Sequence, residues 1–172
     1  GADLAENSIQ IAQKFENNSL KFKVHDMRQP LNNQYDAIFN LFTSFGYFEE
    51  DKEDLLILEN IKNGLNKGGF FVFDFLNADF VKATLVAEET KIIDNITFHI
   101  TREIKDGFIL KNITFFADKK DHVYTESVKY LDINKMKAYF EKVGFRITNI
   151  FGDYNLSNFN VETSNRLILV AK

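Results

Sequence analysis

A chain of 172 residues, 45% hydrophobic and 27% charged, carries enough apolar material for one domain with a full core and has the balance of a folded globular protein. Its net charge of −4, with Lys and Arg interleaved among Asp and Glu, leaves no basic face for nucleic acid. The absence of cysteine excludes disulfides, thiol catalysis and Cys-ligated zinc; no apolar run nears the ~20 residues of a membrane span, no signal-peptide pattern opens the chain, and the expected setting is the cytoplasm with no membrane partner.

The chain begins GADLAENSI. Residues 2–4 read as the end of a strand closing on an acidic residue, and a helix is predicted over 8–17, where Ile9, Ala12 and Phe15 recur at helical spacing. Residues 20–24 alternate as a strand and run into the loop His25-Asp26-Met27-Arg28 ahead of Pro30. The nearly continuous apolar run YDAIFNLF, residues 35–42, predicts a strand covered on both faces, as in a parallel sheet. A helix over 53–66 follows, with Leu55, Leu58, Ile61 and Leu65 on one face, stopping at Lys67-Gly68-Gly69; FFVFDF, residues 70–75, is then another buried strand. This rhythm predicts an α/β fold with right-handed parallel crossovers.

The middle of the chain changes character. Residues 91–104, 108–118 and 123–131 are β-rich runs joined by Lys105-Asp106-Gly107 and Lys119-Lys120-Asp121-His122, which predicts an antiparallel meander laid over or beside the parallel sheet. Asp132 caps a helix carrying Met136, Tyr139, Phe140 and Val143 and ending at Gly144. Residues 146–151 and 166–170 close the chain as an antiparallel strand pair. The 19 Phe suit a core and equally the wall of a pocket.

This order of pieces resembles the class I S-adenosylmethionine-dependent methyltransferases of small-molecule type, along nearly the whole chain. GADLAENSI is similar to the segment that ends the family's second strand, and the resemblance implies that Asp3 binds the ribose hydroxyls with Leu4 beside it. The residue alone reads equally as a helix cap, although a carboxylate at a strand's C-terminal end is well placed for a ribose. HDMR resembles the segment after the family's third strand: Asp26 then takes the adenine amino group, and Met27 packs on the adenine or offers its backbone N–H. On its own, Asp26 reads as a loop carboxylate beside a core Met. NLFTSFGYF resembles the segment flanking the methionine part of the cofactor, which implies contacts from Asn40, Leu41 and Phe42. LNKGGFFVFDF resembles the turn into the fifth strand, with Lys67 where Pro is usual, and FEKVGF with the strands after it resembles the closing helix and hairpin. The implied cofactor is S-adenosylmethionine and the implied partner a small-molecule methyl acceptor, with Phe45, Tyr47 and Tyr130 as acceptor contacts under a lid formed by the meander. The residues of the meander read equally well as packing.

The resemblance also implies a Rossmann-like methyltransferase sheet of order 3-2-1-4-5-7-6, here N-terminally incomplete, because the family's first strand and glycine-rich loop have no counterpart in the sequence. Gly64, Gly68 and Gly69 are expected at a helix end instead. The expectation is one domain over 1–172: a partial cofactor-binding part (1–85), the antiparallel insertion (86–131), and the closing helix and strand pair (132–172). The chain is then expected to be a piece of a methyltransferase that does not hold cofactor by itself, with residues 20–26 either repacked beside 35–42 or paired with another chain through exposed sheet edges. No catalytic residue is assigned: His25, His99 and His122 lie without metal-ligand spacing, so no metal is expected. Two further readings remain, an inactive interaction domain and a nicotinamide-dependent oxidoreductase; the antiparallel closing pair argues against the second.

Overall fold

The computed structural model describes all residues, Gly1–Lys172. Its first elements are β1 (Ala2–Asp3), α1 (Glu6–Gln13) and β2 (Lys23–Val24). β1 and β2 pair in parallel, Asp3 opposite Val24, as a two-stranded sheet of their own. This corrects the expectation that residues 20–26 repack beside 35–42. The Lys23 and His25 amides donate to the carbonyls of Gly1 and Asp3 at 3.0 and 2.9 Å, so β1 already satisfies the donors that such repacking would use. α1 begins earlier and ends earlier than its periodicity suggests. Only Ile9 is buried on it, and Phe15 lies beyond its end, exposed.

β3 (Tyr35–Asn40), α2 (Asp51–Asn63) and β4 (Leu65–Leu76) follow as a parallel crossover unit. α2 stops at Gly64, not at residues 67–69. Gly68 and Gly69 belong to β4, where the pairing with β3 shifts register between Tyr35 and Ala37. Gly68 has φ of 84° and a Cβ on Gly69 would sit 3.0 Å from the Asp36 carbonyl oxygen, so these glycines serve an irregular strand start and not a helix end. The buried face of α2 runs through Asp54, Ile57, Leu58 and Ile61 in place of one through Leu55 and Leu65.

α3 (Ala78–Thr84), capped by the Asn77 side chain, has no sequence-based counterpart above. The meander has four strands: β5 (Glu88–Ile93), β6 (Ile96–Lys105), β7 (Phe108–Ala117) and β8 (Lys120–Lys129), each antiparallel to the next. Asp94-Asn95, Asp106-Gly107 and Asp118-Lys119 join them, all six residues at positive φ, the geometry of two-residue turns that match strand twist. Two expectations change here. The run 91–104 contains a hairpin turn at Asp94-Asn95, whose Asn reads as strand-compatible only until its φ is known, and His122 lies within β8, stacked 4.7 Å from Phe115, not in a turn.

α4 (Ile133–Val143) is capped by Asp132, whose carboxylate accepts from the Lys135 amide at 2.8 Å, and ends on Gly144 in the left-handed region. β9 (Ile147–Phe151) and β10 (Arg166–Ala171) complete a second sheet of order β3-β4-β10-β9, with β10 antiparallel to both neighbours. The core is aromatic: Phe71, Phe73 and Phe75 project from alternate positions of β4 and meet Phe45, Phe140 and Phe145, while Met136 and Leu169 fill the space around them. No helix is long and apolar enough to cross a membrane.

Candidate functional site

Three loops leave the C-terminal ends of β1, β2 and β3. Asp3, the last residue of β1, is exposed, and one of its oxygens accepts from the Ala5 amide at 2.8 Å, which turns the chain into α1 and leaves the other oxygen without a protein donor. Asp26 lies two residues past β2. Its carboxylate takes the Arg28 guanidinium at 2.7 Å and the Arg28 amide at 2.9 Å, and these hydrogen bonds hold the carboxyl below its ordinary value. Arg28 Nε adds contacts to both oxygens at 3.1 and 3.2 Å, so the roughly four acceptor positions of the carboxylate are all engaged by Arg28, and a further donor would have to share one of them.

Arg28 joins the second loop to the third. Beyond Asp26 it reaches Glu53 of α2 at 3.2 Å, and its guanidinium stands 4.4 Å from the ring centre of Phe48 in the loop after β3. The Met27 side chain is partly buried and packs against the core, and its carbonyl accepts from Asn60 at 3.4 Å.

At the end of β3, the Asn40 amide donates to the Ser44 carbonyl at 2.9 Å, while Asn40 Oδ1 is buried without a protein partner. Leu41 and Phe42 are exposed beside it. Tyr47, half exposed, stands within the fields of Asp3 and of Glu126 on β8; burial chiefly, then these two carboxylates, raise its hydroxyl pKa.

Phe45 does not join this group. It is fully buried, edge-on to Phe73 with ring centres 5.2 Å apart, because the chain after Phe42 dives into the core before it emerges at Tyr47. Tyr130 is spent on the fold: its hydroxyl donates to Asp79 of α3 and its amide to the Gly107 carbonyl. Burial, then Asp79, push that hydroxyl far above its ordinary range. A shallow depression of about 310 Å³ at the meander base, lined by Asp51, Lys129, Tyr130 and Lys135 among others, touches the three loops only through Glu49, near the end of the loop after β3.

Asp74 and Arg166 escape a reading of the sequence. Asp74 is 1% exposed on β4, and Arg166, the first residue of β10, pairs with it at 2.6 Å. The signal lay in a single charge inside each of two apolar strands, FFVFDF and RLILVA; only the register that sets Asp74 opposite Ile168 makes the two charges meet.

No family model and no curated protein matches the chain. Solved structures do. An S-adenosylmethionine-dependent methyltransferase from Clostridium acetobutylicum superposes with a TM-score of 0.86 at 14% identity, over 99% of this chain and 73% of that one. The CcbJ methyltransferase from Streptomyces caelestis gives 0.83 at 12% identity over 100% and 73%, and the sugar N-methyltransferase KedS8 from Streptoalloteichus sp. gives 0.76 at 14% identity over 99% and 69%. The chain has the class I S-adenosylmethionine-dependent methyltransferase fold. Within that methyltransferase order, β2 and β1 hold the 3-2 positions, β3, β4, β10 and β9 hold 4-5-7-6, and no strand of the chain joins the two parts.

Proposed function

We propose that the chain belongs to an enzyme that transfers a methyl group from S-adenosylmethionine to a small-molecule acceptor. The observation that carries this reading is the fold shared with methyltransferases, in which Asp3 and Asn40 end β1 and β3 and Asp26 lies two residues past β2, with Asn40 Oδ1 buried and unpartnered. Asp3 and Asn40 keep acceptors that fit the donors of the cofactor, and Asp26 would share its oxygens between Arg28 and the cofactor. Asp3 would take the ribose hydroxyls, Asp26 the adenine amino group and Asn40 Oδ1 the ammonium of the methionine part, while Leu4, Leu41, Phe42 and the Met27 backbone complete the walls.

S-adenosylmethionine supplies an electrophilic methyl on a sulfonium, and the protein's share is to hold donor and acceptor in line and to exclude water. Tyr47 and the meander face bearing Glu126 cover the acceptor side. No side chain is assigned as acid or base. Residues 1–85 act as the cofactor part, 86–131 as the cover and 132–172 as the closing helix and strand pair; a second chain would add at the free edges of β1–β2 and β3. Amino sugars are the first acceptors to assay, since KedS8 is named a sugar N-methyltransferase.

No glycine-rich loop stands between the two parts of the sheet, so weak cofactor affinity is expected of residues 1–172 by themselves. Calorimetric titration of S-adenosylhomocysteine into this chain and into a version extended at its N-terminus tests the reading. Binding by the longer chain, or by both, and its loss on Asp3→Ala, upholds the proposal; binding by neither overturns it in favour of an inactive interaction domain, for which the exposed Leu4, Ile11, Phe15 and Phe39 would be the contact surface.

A further inference from the structure

We infer that Asp74 is a positioning residue: its buried carboxylate latches the loop after β3 in a left-handed shape and ties the loop over 152–165 to it. The inference rests on the methyltransferase reading, since the latched loop carries Leu41 and Phe42.

Each oxygen of the carboxylate has two donors. Oδ2 accepts from the Phe42 amide at 2.8 Å and from the Tyr154 hydroxyl at 3.0 Å. Oδ1 accepts from Arg166 Nε at 2.7 Å and pairs with Arg166 Nη2 at 2.6 Å. The same Nη2 donates to Thr43 Oγ1 at 3.1 Å, and the Thr43 amide donates to the Asp74 carbonyl at 3.1 Å. Three segments, residues 42–43, the loop over 152–165 and the start of β10, thus converge on one side chain of β4.

What the latch holds is a strained backbone. Phe42 and Thr43 have φ of 58° and 64°, and two successive non-glycine residues in the left-handed region persist only where their surroundings over-determine them. Ring packing does not hold Phe42, which is 73% exposed. The hydrogen bonds to Asp74 do. The aromatic contact across the latch follows from it: Phe42 and Tyr154 meet edge-on with ring centres 6.4 Å apart, and the Arg166 guanidinium stands 5.9 Å from the Tyr154 ring centre.

The test has a ligand-free arm and a ligand arm. In the first, amide exchange and backbone chemical shifts at Phe42 and Thr43 are compared between the wild-type chain and Asp74→Asn, in which one carbonyl oxygen replaces two working ones. The latch requires Phe42 to lose at least about tenfold of its protection and both residues to leave left-handed shifts, while amides of β4 stay protected. Should Asp74→Asn fail to fold, Phe42→Pro at the exposed end removes both the amide donor and the left-handed geometry and is expected to speed exchange throughout 152–165. In the second arm, S-adenosylhomocysteine affinity is measured in whichever chain length binds it. Asp74→Asn is expected to weaken it at least about tenfold, and adding Thr43→Gly, which accepts the left-handed backbone freely, to restore part of the affinity. Unchanged shifts and protection in Asp74→Asn, unchanged exchange over 152–165 in Phe42→Pro, or an affinity indifferent to Asp74 would each overturn the inference. Absence of binding by the wild type speaks against the functional reading instead, and the first arm still decides the latch.

Discussion

The Lys129 ammonium at the end of β8 lies 2.6 Å from the carboxylate of Asp54 inside α2, with the Lys side chain 7% exposed and the Asp side chain 0%. The pair fastens the meander to α2, assisted by the Lys129 amide, which donates to the Gly46 carbonyl at 2.7 Å. Breaking a buried pair by removing one partner strands the other charge. Lys129→Met is therefore expected to cost about 3–5 kcal/mol at neutral pH, and the double variant Lys129→Met/Asp54→Leu to recover most of the loss. Urea unfolding of the two variants measures this; equal losses in both would refute it.

The pH dependence of that variant has a definite sign. Burial already raises the Asp54 carboxyl above its ordinary value against the pull of Lys129, and without the cation it rises further. A carboxyl raised in the folded state binds protons there more readily than in the unfolded chain, so stability withheld at neutral pH returns as pH falls through the folded value. Lys129→Met should close part of its gap to wild type as pH falls from neutral, read from unfolding midpoints. A gap that widens on acidification would contradict the sign.

Asp51 behaves oppositely. Lys135 at 2.6 Å foremost, with Tyr139 and Lys129, holds its carboxyl far below the ordinary range. Its contribution is complete above the unfolded value of about 3.9 and is lost as pH falls below it toward the folded value. The stability difference between wild type and Asp51→Asn is expected to be constant above about pH 5 and to shrink below about pH 4, which an acid unfolding series at fixed salt would show or deny.

Lys119 occupies the second position of the β7–β8 turn with φ of 62°. Glycine removes the left-handed strain there and loses part of the gain to chain entropy. Lys119→Gly should stabilise by about 0.5–1 kcal/mol, visible as a raised melting temperature; a lowered one would show that the Lys side chain has a role in the turn.

Asn77 is 3% exposed and holds two carbonyls, those of Val161 and Ser164, at 2.9 and 2.8 Å while capping α3. Asn77→Ala is expected to cost about 2 kcal/mol and to speed amide exchange in the loop over 152–165. If exchange there is unaffected, the loop is held from elsewhere, with the Asp74–Tyr154 bond as the first alternative to examine.

Much of the fold was legible along the chain. β3, α2, β4, α4 and the closing strand pair announce themselves through local apolar periodicity, and Asp132 and Gly144 bound α4 through their own conformational preferences. The limits of α1 were not legible, because Ile11 and Phe15 have the spacing of a buried face and are both exposed. Nor was the turn at Asp94-Asn95, since only the left-handed φ of both residues interrupts what reads as one strand. In the candidate site, Asp3 and Asn40 end β1 and β3 and Asp26 lies two residues past β2; the family resemblance, and not their spacing, singled these residues out in the sequence. Phe45 was misplaced because an aromatic residue in a loop carries no local sign of which way it turns.

The amino-acid sequence by itself determined where strands and helices form and which polar residues end them, since these depend on side-chain spacing and caps a few residues away. Tertiary structure alone decided that Lys129 meets Asp54, that Phe45 is core, and that Asp74 of β4 meets Arg166 of β10 and Tyr154 beyond β9. Such pairings join residues dozens of positions apart, and they exist only after strand register and layer packing have brought the two charges into a space from which water is excluded.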